Sequence, residues 1–498
     1  MKRTTSGGEI SPLVYIEDEE RGGSIAVKRD YEKKLIEVSR KIWDYAELRF
    51  QEKKSSAALS DLLEEEGFSV TRGLAGMDTA FQAVIGTGHP VIGILAEYDA
   101  LSGLSQEAGV LEPVARAGIE SGHGCGHNLL GTGAVGAALL LRDYLEESGN
   151  LGTVVLLGCP AEEGGAGKTY MARAGVFDGL DLALTWHPAG GYAVMTGSMQ
   201  ANCQAYFRFK GKSAHAAAAP FLGRSALDAV ELMDVGVNYM REHIEPTDRI
   251  HYAVLDTGGS SPNVVQNHAE VLYLIRSTDN EKVKALYERV CKVAQGAALM
   301  TETELEICFD KACSNTISNS VLENVLYQSM LRIPLPHYTE EELCFARRIR
   351  DTYQSLSMEN DLALSFLPNV KRRVYAGKLA EMEMAQFVVP HEHLDVYIAG
   401  SSDVGDCSHV VPTAQFVAGT ATPGTPGHSW QMVSQGRCST AEKGMIYAAE
   451  VLADAVKTIF ENPELAVQAK AEFLAVTEGK PYVCPIPADI KPHQQMRE

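Results

Sequence analysis

The sequence predicts an α/β protein: a mostly parallel sheet with helices on both faces, interrupted by a smaller inserted α+β unit of ferredoxin-like order. Three observations predict it. Continuous apolar runs at 91–96, 154–157 and 181–184 read as strands covered on both faces, and they alternate with helical stretches as a parallel sheet requires. From about Asn202 the pattern changes to the alternation of a half-exposed antiparallel strand, and up to residue 315 the elements read strand-helix-strand-strand-helix-strand. A chain of 498 residues is also too long for one small core. The expected division places 1–200 and 316–498 in the α/β domain and 201–315 in the inserted one.

Taken in order, residues 1–25 are polar and Gly/Ser-bearing and read as a loosely held arm. Leu35, Val38, Ile42, Tyr45, Leu59, Leu62 and Leu63 recur at helical spacing and give two amphipathic helices between Lys28 and Glu66. Short strands follow at 68–70 and 79–85, and the run at 91–96 ends in Glu97, Tyr98 and Asp99. A glycine-rich stretch at 121–128 opens a helix whose apolar run extends from Leu129 to Leu141. The strand at 154–157 leads to Glu162 and Glu163 and a short helix at 168–173; the strand at 181–184 leads to His187. Strands at 204–210, 250–255, 271–275 and 304–309, with helices at 225–241 and 281–299, make up the inserted unit. After Thr316 the chain returns to the α/β core, and 334–394 is charged and reads as irregular. A buried strand at 411–418, a Gly/Pro-rich loop at 420–428, an amphipathic helix at 441–460 and an extended, proline-bearing tail complete the order.

Composition narrows the function classes. With 44 Lys+Arg against 65 Asp+Glu the formal charge is -21, which argues against a nucleic-acid or anionic-membrane surface. An anionic small molecule remains compatible, because one buried arginine binds a carboxylate whatever the net charge. Ten cysteines without a CxxC or a framework spacing read as reduced thiols in a cytoplasmic compartment. No apolar run reaches membrane-spanning length and the first twenty residues lack the apolar centre of a signal peptide, so no membrane association is expected.

Two readings fit Cys125 and His127 taken alone: ligands of a soft or borderline divalent ion, or a free thiol beside a satisfied histidine in a glycine-rich turn. Position says more than residue type. Chemistry in α/β sheets gathers outside the carboxyl ends of the strands, and three apolar strands here deliver acids or a histidine at that end. A solvated turn for Glu162 and Glu163, or a core place for His187, explains each residue singly but not the shared end. Cys125, His127, Glu163, His187 and His428 together supply S, N and O donors enough for two adjacent divalent ions, which can activate water and polarise an amide carbonyl. Glu162, next to a ligand, is placed to act as general base and to return the proton to the leaving amine.

The blocks Gly-His-Gly-Cys-Gly-His-Asn-Leu-Leu-Gly-Thr at 122–132, Pro-Ala-Glu-Glu-Gly-Gly at 160–165, Leu-Thr-Trp-His-Pro at 184–188, Ser-Ala-His-Ala at 213–216 and Ser-Asp-Val-Gly-Asp at 402–406 carry a resemblance. The chain is similar over nearly its whole length to the dinuclear-metal aminoacylase and carboxypeptidase family of metallopeptidases, in its cysteine-ligand (amidohydrolase) branch. The resemblance implies that Cys125 bridges two divalent ions, zinc or manganese. His127 and His187 then complete one site, Glu163 and His428 the other, and Glu162 is the base. The inserted domain becomes a lid and dimerisation domain, from which His215 reaches into a partner's active site and stabilises the oxyanion. Asn263 and Arg276 hold the substrate carboxylate, and Asp99 orients a ligand histidine. The residues themselves also allow a capped turn histidine at 215, a strand-edge arginine at 276 and a solvated loop acid at 99. One departure from the wider family is that Glu97 stands where many members have a ligand histidine, while a histidine appears at 127 instead. The implied activity is cleavage of the amide bond of an N-acyl or N-aroyl amino acid, with a dipeptidase or general N-acyl-amino-acid hydrolase as neighbouring activities. A non-catalytic partner chain of a hydrolase is the reading from a different class. The implied assembly is a homodimer or a heterodimer with a related chain.

Overall fold

The structure, a computed structural model, describes residues 26–353 and 355–492, so the arm expected at 1–25 lies outside the described residues. The main sheet has seven strands in the order Ser69–Arg72, Phe81–Thr87, Gly152–Cys159, Val91–Glu97, Leu182–Ala189, Thr413–Gly419 and Ala193–Val194. The four from Gly152–Cys159 to Thr413–Gly419 run parallel; the first two and the last are antiparallel to their neighbours.

Alternation along the central strands divides the interior in two. Ile92, Ile94, Ala96, Val154, Leu156, Leu182, Leu184 and Trp186 enter one core, against helices Arg29–Tyr45, Lys53–Glu65, His127–Ser148, Ser320–Arg332 and Ser439–Glu461. Leu95, Val155, Leu157 and Ala183 point to the other face, where Tyr170, Met171, Val404 and Cys407 of helices Gly167–Arg173 and Val404–Ser408 cover them. Helices on both faces account for the continuous apolar runs in the sequence.

Helix His127–Ser148 is the innermost of these: every residue from His127 to Leu141 is buried. Such a helix reads as apolar all round instead of amphipathic. Its approach to the sheet is close. A Cβ at Gly131 would stand 2.5 Å from the Glu97 carbonyl oxygen, and Trp186 Nε1 donates to the Leu130 carbonyl at 3.0 Å. The helix start, the end of strand Val91–Glu97 and the end of strand Leu182–Ala189 are thereby held together.

The inserted sheet runs in the order Arg249–Asp256, His268–Ser277, Ala201–Lys210 and Glu304–Cys313, antiparallel throughout. Helices Ala226–Met240 and Asn280–Thr301 pack against it. Both open on side-chain caps: Ser225 accepts from the Asp228 N–H at 3.1 Å, and Asp279 from the Lys282 N–H at 2.9 Å. Strand order and helix placement are those of a ferredoxin-like unit.

Two expectations are corrected. The segment 334–394 is not irregular, because it holds helices Glu340–Arg350, Leu362–Ser365 and Asn369–Ala380. Glu340–Arg350 buries only Ala346 and Ile349, so it lacks an apolar stripe. A capping box between Thr339 and Glu342, three glutamates in the first turn and three arginines in the last hold it instead. The C-terminal tail is extended only in part: helix Glu464–Val476 opens directly after Pro463. No helix among the described residues is long and apolar enough to cross a membrane.

Gly131→Ala tests how tightly the buried helix is seated. Overpacking against the backbone costs about 1–3 kcal/mol, and the gain in helix propensity returns up to about 1 kcal/mol. A net loss of roughly 1–2 kcal/mol is expected in urea unfolding; a gain in stability would show that the helix moves away freely.

Candidate metal centre

Cys125 and His127 reach a common point because Gly126 between them is left-handed, with φ of 78°. A Cβ there would also stand 2.8 Å from Pro188, so the glycine serves both conformation and approach. Cys125 Sγ lies 3.3 Å from His187 Nε2. His187 Nδ1 donates to the Pro188 carbonyl at 2.8 Å, which turns Nε2 toward the thiol. His127 Nδ1 meets Asp99 Oδ1 at 2.9 Å, leaving its Nε2 to face the cluster. Cys125, His127 and His187 each bring one donor atom within 4.8 Å of the others.

Cys125 belongs to a second trio as well, with Glu163 and His428, again within 4.8 Å. Glu163 Oε2 and His428 Nε2 are 3.5 Å apart. The His428 N–H donates to the Gly124 carbonyl at 3.0 Å, which ties the two loops together. His428 (φ 52°) and Ala161 (φ 60°) are both non-glycine residues in the left-handed region, one at each side of this trio. Strain of that kind persists only where the surroundings fix it. Asp99 serves both trios, since its Oδ2 accepts the Glu163 N–H at 2.9 Å.

Burial dominates the electrostatics. It pushes the Cys125 thiol up, lifts the Glu163 carboxyl to about 8 and drops His187 to about 3. Burial and then the negative charge of Glu97 raise Glu162, while His127 and Lys168 pull it down. Burial alone would lower His127, but Cys125 and Asp99 carry it well above the usual imidazole range. His123, in the same sequence motif, takes another course. Its Nε2 contacts the Ile42 carbonyl at 3.0 Å, and burial takes it down to about 4, so it is a neutral structural histidine.

The sequence reading missed several buried charges behind the donors. Glu97 Oε2 lies 3.3 Å from His127 Nε2, and Glu97, His127 and Glu162 form a third trio within 4.8 Å. Lys168, fully buried, places Nζ 2.7 Å from Glu97 Oε1 and 2.6 Å from Asp403 Oδ1. Burial works against its charge, yet Asp403 and Glu97 outweigh it and hold the ammonium well above the usual range. Glu52 accepts the Ala161 N–H at 2.9 Å, the Phe50 N–H at 2.8 Å and the Thr79 hydroxyl at 3.0 Å, bracing the turn that carries Glu162 and Glu163. In the sequence, the place of Glu97 at a strand end and at a ligand-histidine position of the wider family, and the block at 402–406 that holds Asp403, hinted at part of this.

The inserted unit contributes unevenly. Arg276 lines a cavity of about 120 Å³ together with Glu162, Glu163, His428, Asn202 and Lys311. His215 and Asn263 are exposed and do not line it. They lie near each other: His215 bridges to Val264, and the Asn263 carbonyl accepts from Ala216 at 3.0 Å. His215 Nδ1 accepts from the N–H groups of Ala217 and Ala218 at 3.2 and 3.1 Å.

The donor set fits divalent cations. His127 Nε2 and Glu163 Oε1 are buried polar atoms with no hydrogen-bond partner. Ligands about 2.0–2.3 Å from one ion lie at most ~4.6 Å apart, close to the spacing of the trios. Around them Glu97, Asp99, Glu162, Glu163 and Asp403 place carboxylates, of which Glu97 and Asp403 share the ammonium of Lys168. A thiol pushed up by burial needs a cation to hold it as thiolate.

A parallel α/β sheet with S, N and O donors at its carboxyl edge and an adjacent carboxylate defines a metal-dependent hydrolase. The chain belongs to Peptidase family M20/M25/M40, whose model matches residues 93–488. Two of its relatives are the two different subunits of p-aminobenzoyl-glutamate hydrolase of Escherichia coli. To one of them it is 47% identical over 468 residues, 94% of its own length and 97% of the relative's. To the other it is 31% identical over 234 residues, 45% of this chain and 53% of that one. With Xaa-Arg dipeptidase of Mus musculus it shares 30% over 309 residues, 58% of this chain and 67% of that protein. Among solved structures, an aminobenzoyl-glutamate utilization protein from Klebsiella pneumoniae matches with a TM-score of 0.57 at 18% identity, covering 87% of this chain and 98% of that one. A dinuclear metal-binding M20 peptidase from Bacillus subtilis gives 0.53 at 19%, covering 87% and 100%. Both show that the fold is shared.

Lys168→Met removes the ammonium paired to these carboxylates and leaves Glu97 and Asp403 buried without that counter-charge. Breaking a buried ion pair from one side costs about 3–5 kcal/mol. Denaturant unfolding is expected to show a loss of that size, and a loss below about 1 kcal/mol would mean that water reaches the pair.

Proposed function

We propose that this enzyme hydrolyses the amide bond of an N-acyl or N-aroyl amino acid, and that p-aminobenzoyl-glutamate, cut to p-aminobenzoate and glutamate, is its substrate. The observation that carries the reading is the pair of donor trios sharing Cys125, with Glu162 lining one cavity together with Glu163 and His428 of the second trio. The E. coli relative that is similar over nearly both whole chains bears that substrate in its name. An Xaa-Arg dipeptide fits less well, since the cavity already holds two cations, Arg276 and Lys311.

In this reading Cys125, His127 and His187 would hold one ion and Cys125, Glu163 and His428 the other. Bound there, two zinc or manganese ions supply Lewis acidity to the carbonyl and acidity to a water. Glu162 takes the proton of the attacking water and returns it to the leaving amine; burial and Glu97 raise its basicity toward working pH. Asp99 keeps His127 and the Glu163 backbone in place from behind. Arg276, hydrogen-bonded to Ser401 Oγ at 3.0 Å, takes the substrate carboxylate.

The domain division at 201 and 315 and the lid and dimerisation role of the inserted unit belong to the same proposal. Its strand Arg249–Asp256 lies at a sheet edge and exposes Tyr252, Val254 and Leu255, which supports pairing with a second chain. The partner is a second copy or a related chain, as the two E. coli relatives, named as subunits of one hydrolase, suggest. Exposed His215 and Asn263, away from their own cavity, then serve the partner's. Ten free cysteines support a reducing cytoplasm.

Glu162→Gln should keep its metal content by elemental analysis and lose about 10²–10⁴-fold in kcat; an undiminished rate removes Glu162 from the mechanism. His215→Ala should also be slow, yet mixing it with Glu162→Gln should restore part of the activity, because one hybrid site then has both residues. Failure of every ratio to recover any rate would place His215 outside a shared site.

A further inference from the structure

The inserted sheet meets the metal centre through three strands. Register sets Arg276 opposite Asn202, and Lys311 opposite Gln204 on the far side of strand Ala201–Lys210. Arg276 and Lys311 therefore approach the cavity from two sides of that strand, anchored roughly 10 Å apart across two strand spacings. They offer two separate positive points, not one bidentate clamp.

Neither cation forms an ion pair among the described residues. Arg276 donates to Ser401 Oγ at 3.0 Å, and Lys311 Nζ to the Glu163 backbone carbonyl at 3.2 Å. In a chain of 65 acids and formal charge -21, two cations in one cavity without a carboxylate partner stand apart from the others around them. Lys168, behind the cavity-lining Asp403, has two such partners. Asn202 adds a further signal. It is 5% exposed, lines the same cavity, and its side-chain oxygen has no hydrogen-bond partner. A buried acceptor left open costs free energy unless a ligand N–H fills it.

We propose that Lys311 is the specificity-determining residue for a second carboxylate, and that the cavity takes N-acyl derivatives of dicarboxylic amino acids. Resting on the function proposed above, this assigns the carboxylate next to the scissile amide to Arg276. The side-chain carboxylate goes to Lys311, and the scissile amide N–H to Asn202. The negative pole of the cavity, Glu162 and Glu163, stays with the cations and the reacting water; the positive pole reads the amino acid. Charge-assisted contacts of this kind discriminate against a neutral isostere because the ammonium then stays uncompensated.

The test compares p-aminobenzoyl-glutamate with p-aminobenzoyl-glutamine, which differ only in that charge, on the metal-loaded enzyme. The wild type should favour the glutamate compound by roughly 10–100-fold in kcat/KM. Lys311→Met should collapse that ratio toward one, mainly through KM, and Lys311→Arg should restore most of it. A ratio unchanged in Lys311→Met overturns the proposal, because loss of the contact to the Glu163 carbonyl alone would slow both substrates alike. Calorimetric binding of both compounds to Glu162→Gln, with and without Lys311→Met, separates the two readings. A wild type that cleaves neither compound overturns the proposed hydrolysis. Lys311 keeps its role if Glu162→Gln still binds the glutamate form more tightly and loses that preference with Lys311→Met, and equal affinities overturn it.

Discussion

The structure is organised around an excess of buried negative charge. Glu97 and Asp99 follow one strand, Glu162 and Glu163 the next, and Asp403 closes in from the start of a short helix. Lys168 neutralises part of this and is held at 2.6–2.7 Å by two of the five. Carboxyls so crowded in a protein interior either take up protons, as the raised Glu162 and Glu163 show, or are held ionised by cations. Cys125, His127, His187 and His428 supply the donors that would fix such cations in two adjoining places.

That requirement bears on the backbone around the donors as well as on the donors themselves. Helix His127–Ser148 must start at the pocket, so its glycine-bearing face presses against the end of strand Val91–Glu97 with no room for a methyl group. Glu52, on no strand of the sheet, is buried where it ties the turn before Glu162 to Phe50 and Thr79, and burial, followed by the charge of Asp99, lifts its own carboxyl to about 8. Left-handed Ala161 and His428 are strained positions that the surrounding hydrogen bonds maintain.

How much of this the sequence disclosed depends on the range of the interaction. Strands buried on both faces advertise themselves through apolar runs, and the order of strands and helices sufficed for both sheets. Within 334–394, helix Glu340–Arg350 is concealed because capping and charge hold it, and Asn369–Ala380 because its buried residues, Tyr375, Ala376 and Leu379, are few among lysines and arginines. Glu163 and His187 stood out through their shared place at strand ends, Cys125 and His127 through their residue types in a glycine-rich stretch, and His428 at the end of a Gly/Pro-rich loop. Lys168, Asp403, Glu52 and Lys311 did not, since their meaning arises from pairings across tens to hundreds of positions. Lys168 N–H and Asp403 Oδ2 meet at 2.8 Å over 235 residues; the block at 402–406 marks Asp403 as part of a motif, but nothing local in either stretch marks the pairing. His123 and His127 show the same limit at short range: two histidines in one motif, one turned to the Ile42 carbonyl and the other to Asp99.

The two sheets also divide the electrostatic work. The α/β sheet gathers carboxylates, thiol and imidazoles, and so prepares a place for cations. The inserted sheet brings Arg276 and Lys311 to a cavity that Glu162, Glu163 and His428 also line, and in the proposed function these two cations would meet the carboxylates of the substrate. In that reading an acidic chain takes an acidic ligand because the field that matters is local. With metal cations compensating Glu162 and Glu163, Arg276 and Lys311, which form no ion pair among the described residues, would act across a few ångströms of poorly hydrated space, where a net charge spread over the surface is screened. Neither sheet alone makes such a site. The cavity exists where the insertion folds back over the carboxyl edge, and Lys311 on the Glu163 carbonyl and Arg276 on Ser401 are hydrogen bonds that join the two parts there.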